Sequence, residues 1–179
     1  MENNIMDLAK VYKNNELFFW CNCLGDINLP GDTLNSFGKH KASELPKDVR
    51  DVYDHTNFGT GLCCYAVSLN GVAGYLINVL IDRCWMQDVL DKDDVAEESE
   101  ALAKKMPGII ERIRANIAQS CAIPADQYYV LFGKETDPDG HELMFFVPAE
   151  NNAVYRKMLS YLETRIYNVL RKELAKADS

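Results

Sequence analysis

The hydrophobic and polar positions of the chain follow one plan twice, a β-hairpin and then a long amphipathic helix. In the first copy, residues 62–69 and 72–81 flank Asn70-Gly71, which is typical of a tight hairpin turn because both residues tolerate positive φ. The second segment is apolar nearly throughout, so we expect a central strand that is covered on both faces. Gly74 within it indicates a bulge or a close backbone approach.

The helix of the first copy is indicated by apolar residues at helical spacing over residues 93–121. Pro107 and Gly108 interrupt this spacing, because proline removes one backbone hydrogen bond and clashes with the preceding turn. The pattern therefore predicts either one kinked helix or two shorter helices. Its apolar positions are Val95, Leu102, Met106, Ile109, Ile110, Ile113 and Ile117.

The second copy consists of strands at 128–132 and 143–147, joined through a turn at 136–140, and a helix after Pro148. This last helix carries an apolar stripe that includes Val154, Met158, Leu162 and Ile166. Before the first hairpin, the pattern predicts a short helix at 4–13 and a buried strand at 16–24. Residues 25–60 have no sustained period, and we interpret them as an insertion of irregular loop and short helix.

These elements predict one α+β domain over residues 1–179, with a mainly antiparallel sheet and the helices on one face. The order is ββα-ββα after an N-terminal helix and strand, and residues 177–179 are expected to be disordered. The hydrophobic content of 47% is enough for one core without disulfide staples, so the six cysteines are expected to be reduced. No apolar run is long enough for a membrane helix, and residues 1–4 lack the features of a signal peptide, so we expect a cytoplasmic location.

The net charge of −8 is concentrated in one short segment. Residues 82–100 contain eight acidic residues against Arg83 and Lys92, which gives −6. A phosphate backbone would be repelled by such a patch, whereas a basic protein would be attracted. Trp85 lies at its edge and suits the core of an interface, where aromatic residues are enriched.

Motifs that carry chemistry are weak in this sequence. Cys63 lies eight residues after His55, so a cysteine nucleophile with a histidine base is conceivable, with Asp54 beside them. The pairs Cys21-x-Cys23 and Cys63-Cys64 lack the spacing of a zinc knuckle, and no glycine-rich phosphate loop joins a strand to a helix. We therefore expect neither a metal ion nor a cofactor.

Two resemblances concern small binding proteins. Leu45-Pro46-Lys47-Asp48, followed by Tyr53 and Asn57, resembles the Leu-Pro-x-Asp helix of the SUKH superfamily, which includes many bacterial toxin-immunity proteins. This similarity covers about thirteen residues, and the Gly-Gly that usually follows the asparagine is absent. The order of elements and the acidity are similar to those of type III secretion chaperones, with no matching residues. Both resemblances imply a protein partner and, for the chaperones, a dimer.

The sequence favours a non-enzymatic acidic module that binds a basic protein, as an immunity, inhibitor or chaperone-like protein. No direct contact with nucleic acid or membrane is expected, and a homodimer is possible. The alternatives are a small enzyme with its site near His55 and Cys63, and a DNA mimic that inhibits a DNA-binding protein. The residues predicted to bind the partner are Trp85, Asp88, Asp91, Asp93, Asp94, Glu97 and Glu98.

Overall fold

A computed structural model describes residues 5–19, 62–134 and 139–177 of the chain. The predicted insertion at 25–60, with His55 and Asp54, lies outside the described residues, as do most of the 136–140 turn and the pair Cys21 and Cys23. Ala177, expected to be disordered, is the last residue of a helix, while residues 178–179 are outside the described part.

The described residues form six strands and four α-helices. The strands are β1 (Ile5–Asp7), β2 (Leu17–Phe19), β3 (Cys63–Leu69), β4 (Val72–Ile81), β5 (Tyr129–Lys134) and β6 (His141–Pro148). The helices are α1 (Leu8–Lys13), α2 (Arg83–Leu90), α3 (Ala96–Cys121) and α4 (Asn152–Ala177). Short 3-10 turns precede β5 and α4.

The strands form one sheet in the order β1-β5-β6-β4-β3-β2. The β1–β5 pairing is parallel, and the other four pairings are antiparallel. The predicted α+β class is therefore confirmed. The first hairpin is followed by two helices rather than one, because α2 intervenes between β4 and α3.

The first hairpin has the turn that the sequence predicts. Asn70 and Gly71 have φ values of 52° and 81°, the left-handed conformation that a two-residue hairpin turn requires at both positions. β4 lies between β3 and β6, so it is the central strand that its apolar pattern indicates. At Gly74 the carbonyl oxygen of Val147 would lie 2.4 Å from a β-carbon, which explains the glycine as a close backbone approach.

The sheet separates two hydrophobic clusters, because successive side chains of a strand point to opposite faces. On the first face, α3 and α4 pack against the larger cluster, in which Ile77 and Phe145 lie fully buried and Tyr75 stacks on Tyr155 at 4.1 Å. On the second face, Leu8 and Val11 of α1 pack against β3, β4, β5 and β6. Helices therefore cover both faces rather than the one that was predicted.

The N-terminal segment differs from the predicted helix at 4–13. Residues 5–7 instead extend the sheet as β1, and the side chain of Asp7 accepts a hydrogen bond of 3.1 Å from the backbone nitrogen of Ala9. This cap ends the strand and starts α1.

Helix α3 is continuous through Pro107, so one long helix forms rather than two. Its buried stripe, including Met106 and Ile109 on either side of the proline, packs on the sheet. No helix among the described residues is both long and apolar enough to cross a membrane.

Candidate functional site

The predicted acidic residues lie at one corner of the molecule, where α2 ends and α3 begins. We call the exposed carboxylates there the acidic corner. They are Asp88, Asp91, Asp93, Asp94 and Glu97. None of the five has an ion-pair partner among the described residues.

The backbone of the acidic corner is held by capping interactions. Asp82 accepts a 2.7 Å hydrogen bond from the backbone nitrogen of Trp85 and so starts α2. Asp91 ends that helix in the left-handed conformation, with φ of 53°. The side chain of Gln87 then donates to the backbone oxygen of Asp93 at 2.6 Å, and Asp94 accepts from the backbone nitrogen of Ala96 at 3.2 Å. These contacts present the corner carboxylates on an ordered turn.

Glu98 does not belong to the exposed corner, although the sequence suggested it as a partner-binding residue. It is only 7% exposed and forms an ion pair with Lys92, whose side chain remains partly exposed. Lys92 is the cation nearest in sequence to the corner residues, and its ammonium group forms an ion pair with Glu98. The ion pair therefore directs Lys92 toward Glu98 rather than toward a corner carboxylate.

Trp85, the seventh predicted residue, is half-buried beside the corner. Its ring lies against that of Tyr167 of α4, with centroids 5.6 Å apart and planes tilted by 53°. Both rings line a cavity of 490 Å³, which we call the edge cavity.

The edge cavity lies where β4 extends beyond the start of β3. Cys63 pairs with Asn78, whereas residues 79–81 of β4 pair with β6 alone among the described residues. The polar residues that line the edge cavity are Cys63, Asn78, Asp82 and Arg171.

Tyr167 closes the inner side of the edge cavity. Its hydroxyl donates a 3.1 Å hydrogen bond to the backbone oxygen of Leu80 in β4. Burial, with smaller effects from Cys63 and Asp82, raises the pKa of Tyr167 to about 12. The phenol is therefore a neutral hydrogen-bond donor at physiological pH.

A buried carboxylate adjoins the cavity on the second face of the sheet. Glu142 and Asn78 are each 1% exposed, and the amide nitrogen of Asn78 donates to Glu142 Oε1 at 3.5 Å. Burial, and then the charge of Glu142, raises the pKa of Tyr12 of α1. The predicted site does not include Glu142 or Asn78; the signal in the sequence is a charged residue in the apolar run of β6.

Hydrogen bonds between Ser99, Asp139 and His141 tie the start of α3 to the sheet. The hydroxyl of Ser99 donates to the backbone oxygen of Asp139 at 2.6 Å, and Nε2 of His141 lies 3.2 Å from the backbone oxygen of Ser99. Because that oxygen only accepts, Nε2 carries a proton in this contact, and in the neutral ring Nδ1 is then the bare nitrogen. Burial lowers the pKa of His141, which favours this neutral form.

Of the proposed cysteine–histidine site, the structure places only Cys63, a half-buried residue of the edge cavity. His55 and Asp54 lie outside the described residues. Within residues 5–19, 62–134 and 139–177, no group of three or more His, Cys, Asp or Glu residues is arranged to hold a metal ion.

No family model matches the sequence, and neither a curated protein nor a solved structure shows significant similarity to the chain. Function is therefore inferred from the acidic corner, Trp85 and the edge cavity.

Proposed function

We propose that this chain is a non-enzymatic protein-binding module, of the inhibitor, immunity or chaperone-like kind, that docks a basic partner protein. The observation that carries this proposal is the acidic corner, where five exposed carboxylates lie within residues 88–97 and Lys92 forms an ion pair with Glu98. Like charges on one ordered turn produce a local negative potential, which raises the rate of encounter with a basic surface.

The edge cavity supports the proposal by offering an anchor next to the charged surface. Hot spots of protein interfaces are enriched in Trp, Tyr and Arg that fill or line pockets. Trp85 and Tyr167 give the cavity an aromatic wall, and Asp82 places a carboxylate beside it. Arg171 lines the same cavity and offsets the charge of Asp82, so a lysine or arginine of the partner would find there an aromatic face for a cation–π contact rather than a net counter-charge.

Matched charge substitutions test the proposal. The corner variant Asp91→Asn/Asp93→Asn/Glu97→Gln removes three exposed charges, and asparagine tolerates the left-handed position of residue 91. The control variant Asp126→Asn/Glu150→Gln/Glu163→Gln removes three exposed charges elsewhere. Each protein is immobilised, and the proteins it captures from cells of its source are quantified by mass spectrometry.

We expect one basic protein to bind the wild type and the control variant, and to be lost or strongly reduced on the corner variant. Capture of the same proteins in equal amounts by all three forms would contradict the proposal. A further variant, Trp85→Ala, should weaken capture of that same basic protein if the edge cavity contributes the anchor.

A small enzyme is a second candidate, favoured by the position of Cys63 in the edge cavity beside Asn78 and Asp82. An activated thiol reacts as thiolate at a pH well below the ordinary pKa of about 8.5. Alkylation by iodoacetamide, followed by peptide mapping, can compare Cys63 with the exposed Cys84 between about pH 6 and pH 9. If Cys63 reacts no faster than Cys84 at the acidic end, the enzyme proposal loses its nucleophile.

A further inference from the structure

A groove of 620 Å³ runs between the end of α3 and the outer side of α4, and we call it the helix groove. Three cations line it, Arg156, Lys157 and Arg165. Among the described residues, its lining contains no carboxylate. This is a local reversal of charge in a protein whose net charge is −8.

The three cations are not neutralised within the described parts of the chain. No carboxylate there forms an ion pair with Arg156, Lys157 or Arg165. The C-terminal end of α3 also faces the groove through Ser120 and Cys121, but a helix terminus contributes only about half a negative charge. The groove therefore stays strongly positive, and stabilisation of that helix end does not account for all three cations.

The remaining groups of the groove suit an anion as well. The guanidinium of Arg165 lies over the ring of Tyr161, 5.5 Å from its centroid, which limits the conformations of this long side chain. Burial raises the pKa of Tyr161, so the phenol stays uncharged and does not repel an anion. The hydroxyls of Ser120 and Ser160 are further donors, whereas Thr164 donates to backbone oxygens of its own helix.

We propose that the helix groove binds a small molecule that carries a phosphate monoester group. Such a group has a charge of roughly −1.5 to −2 at neutral pH, and the planar fork of arginine matches its oxygen atoms. The volume of 620 Å³ lies within the range of roughly 300–1,000 Å³ that is typical of small-molecule sites. This site is independent of the acidic corner and of any partner that docks there.

Calorimetric titration with AMP tests the proposal, with adenosine as the uncharged analogue and inorganic phosphate as competitor. AMP should bind, adenosine should not, and inorganic phosphate should displace AMP. The variant Arg156→Gln/Arg165→Gln should weaken AMP binding at least about tenfold. The control Lys104→Gln/Lys172→Gln removes two exposed charges outside the groove, and should change the affinity by less than about twofold.

Three results would overturn the proposal: no binding of AMP at millimolar concentration, equal binding of AMP and adenosine, or equal affinity in the arginine variant and the wild type. Circular dichroism of each variant would check that the fold is kept. The charge-preserving variant Arg156→Lys/Arg165→Lys separates bidentate recognition from simple attraction, because lysine keeps the charge without the planar fork. It should bind AMP more weakly than the wild type and more tightly than the glutamine variant.

Discussion

Nε2 of His141 lies 2.9 Å from the hydroxyl oxygen of Ser99, which joins the first turn of α3 to the start of β6. The two residues are 42 positions apart in the sequence. Since Ser99 also donates to the backbone of Asp139, one hydroxyl holds the helix that follows the acidic corner against the sheet. The contact therefore ties the orientation of the corner to the start of β6.

Stability should depend on the protonation of His141. Burial lowers the pKa of His141 in the folded chain, whereas the unfolded chain titrates near its ordinary value of about 6.5. The unfolded state then binds more protons, so this contribution to stability is complete above about pH 6.5 and is lost as the pH falls below it. Urea unfolding from about pH 7 to pH 5.5 should show a steeper loss in the wild type than in His141→Gln. Parallel pH profiles of the two proteins would contradict this assignment.

The ion pair between Lys92 and Glu98 should contribute to folding rather than to binding. Lys92→Met leaves the buried Glu98 carboxylate without this partner, and we expect the free energy of unfolding to fall by about 1–2 kcal/mol. The partial exposure of Lys92 keeps this value below that of a fully buried pair. Urea denaturation measures the loss, and the double variant Lys92→Met/Glu98→Gln should recover most of it. A double variant as unstable as the single one would exclude the pairing as the cause.

Gly74 should tolerate no side chain at the centre of the sheet. A β-carbon there would lie 2.4 Å from the backbone oxygen of Val147 and 2.6 Å from the ring of Phe146. We expect Gly74→Ala to lower the free energy of unfolding by about 3 kcal/mol. Gly71→Ala is the matched control, because its β-carbon meets open space and only the left-handed backbone costs about 1–2 kcal/mol. Thermal unfolding of the two variants should keep this order, and a reversed order would contradict the close approach of β6 to Gly74.

Pro107 should be a destabilising residue within α3. It lacks the N–H that would bond to the carbonyl of Ala103, yet the helix continues through it. Replacement by alanine restores this donor, and we expect Pro107→Ala to raise the free energy of unfolding by about 1–2 kcal/mol. Chemical denaturation gives the difference directly. A loss of stability instead would mean that the packing of α3 requires the backbone conformation that proline favours.

Local signals in the sequence predict much of the sheet. The elements that they do not predict depend on interactions between residues that are distant in the sequence. Asn70-Gly71 specifies its own turn, so the first hairpin was predicted to within one residue. Helix α2 was missed because only eight residues form it, and its limits depend on capping by Asp82 and the left-handed Asp91. The strand β1 was read as helix because its pairing partner, β5, lies more than a hundred residues away.

The candidate site was predictable only where charge alone defines it. The exposed carboxylates of the acidic corner follow from composition, since charged side chains without partners stay in water. The burial of Glu98 does not, because it depends on the turn that brings Lys92 back to α3. The contact between Asn78 and Glu142 joins two strands 64 residues apart, and only the sheet register reveals it.

The association rate constant with the captured basic partner is the most direct test of the acidic corner. Surface plasmon resonance would compare the wild type, the corner variant and the control variant at low and high salt. We predict that the corner variant associates at least about tenfold more slowly at low salt, that added salt removes most of this difference, and that the control variant behaves as the wild type. Association rates that are equal in all three proteins, or independent of salt, would contradict docking through the acidic corner.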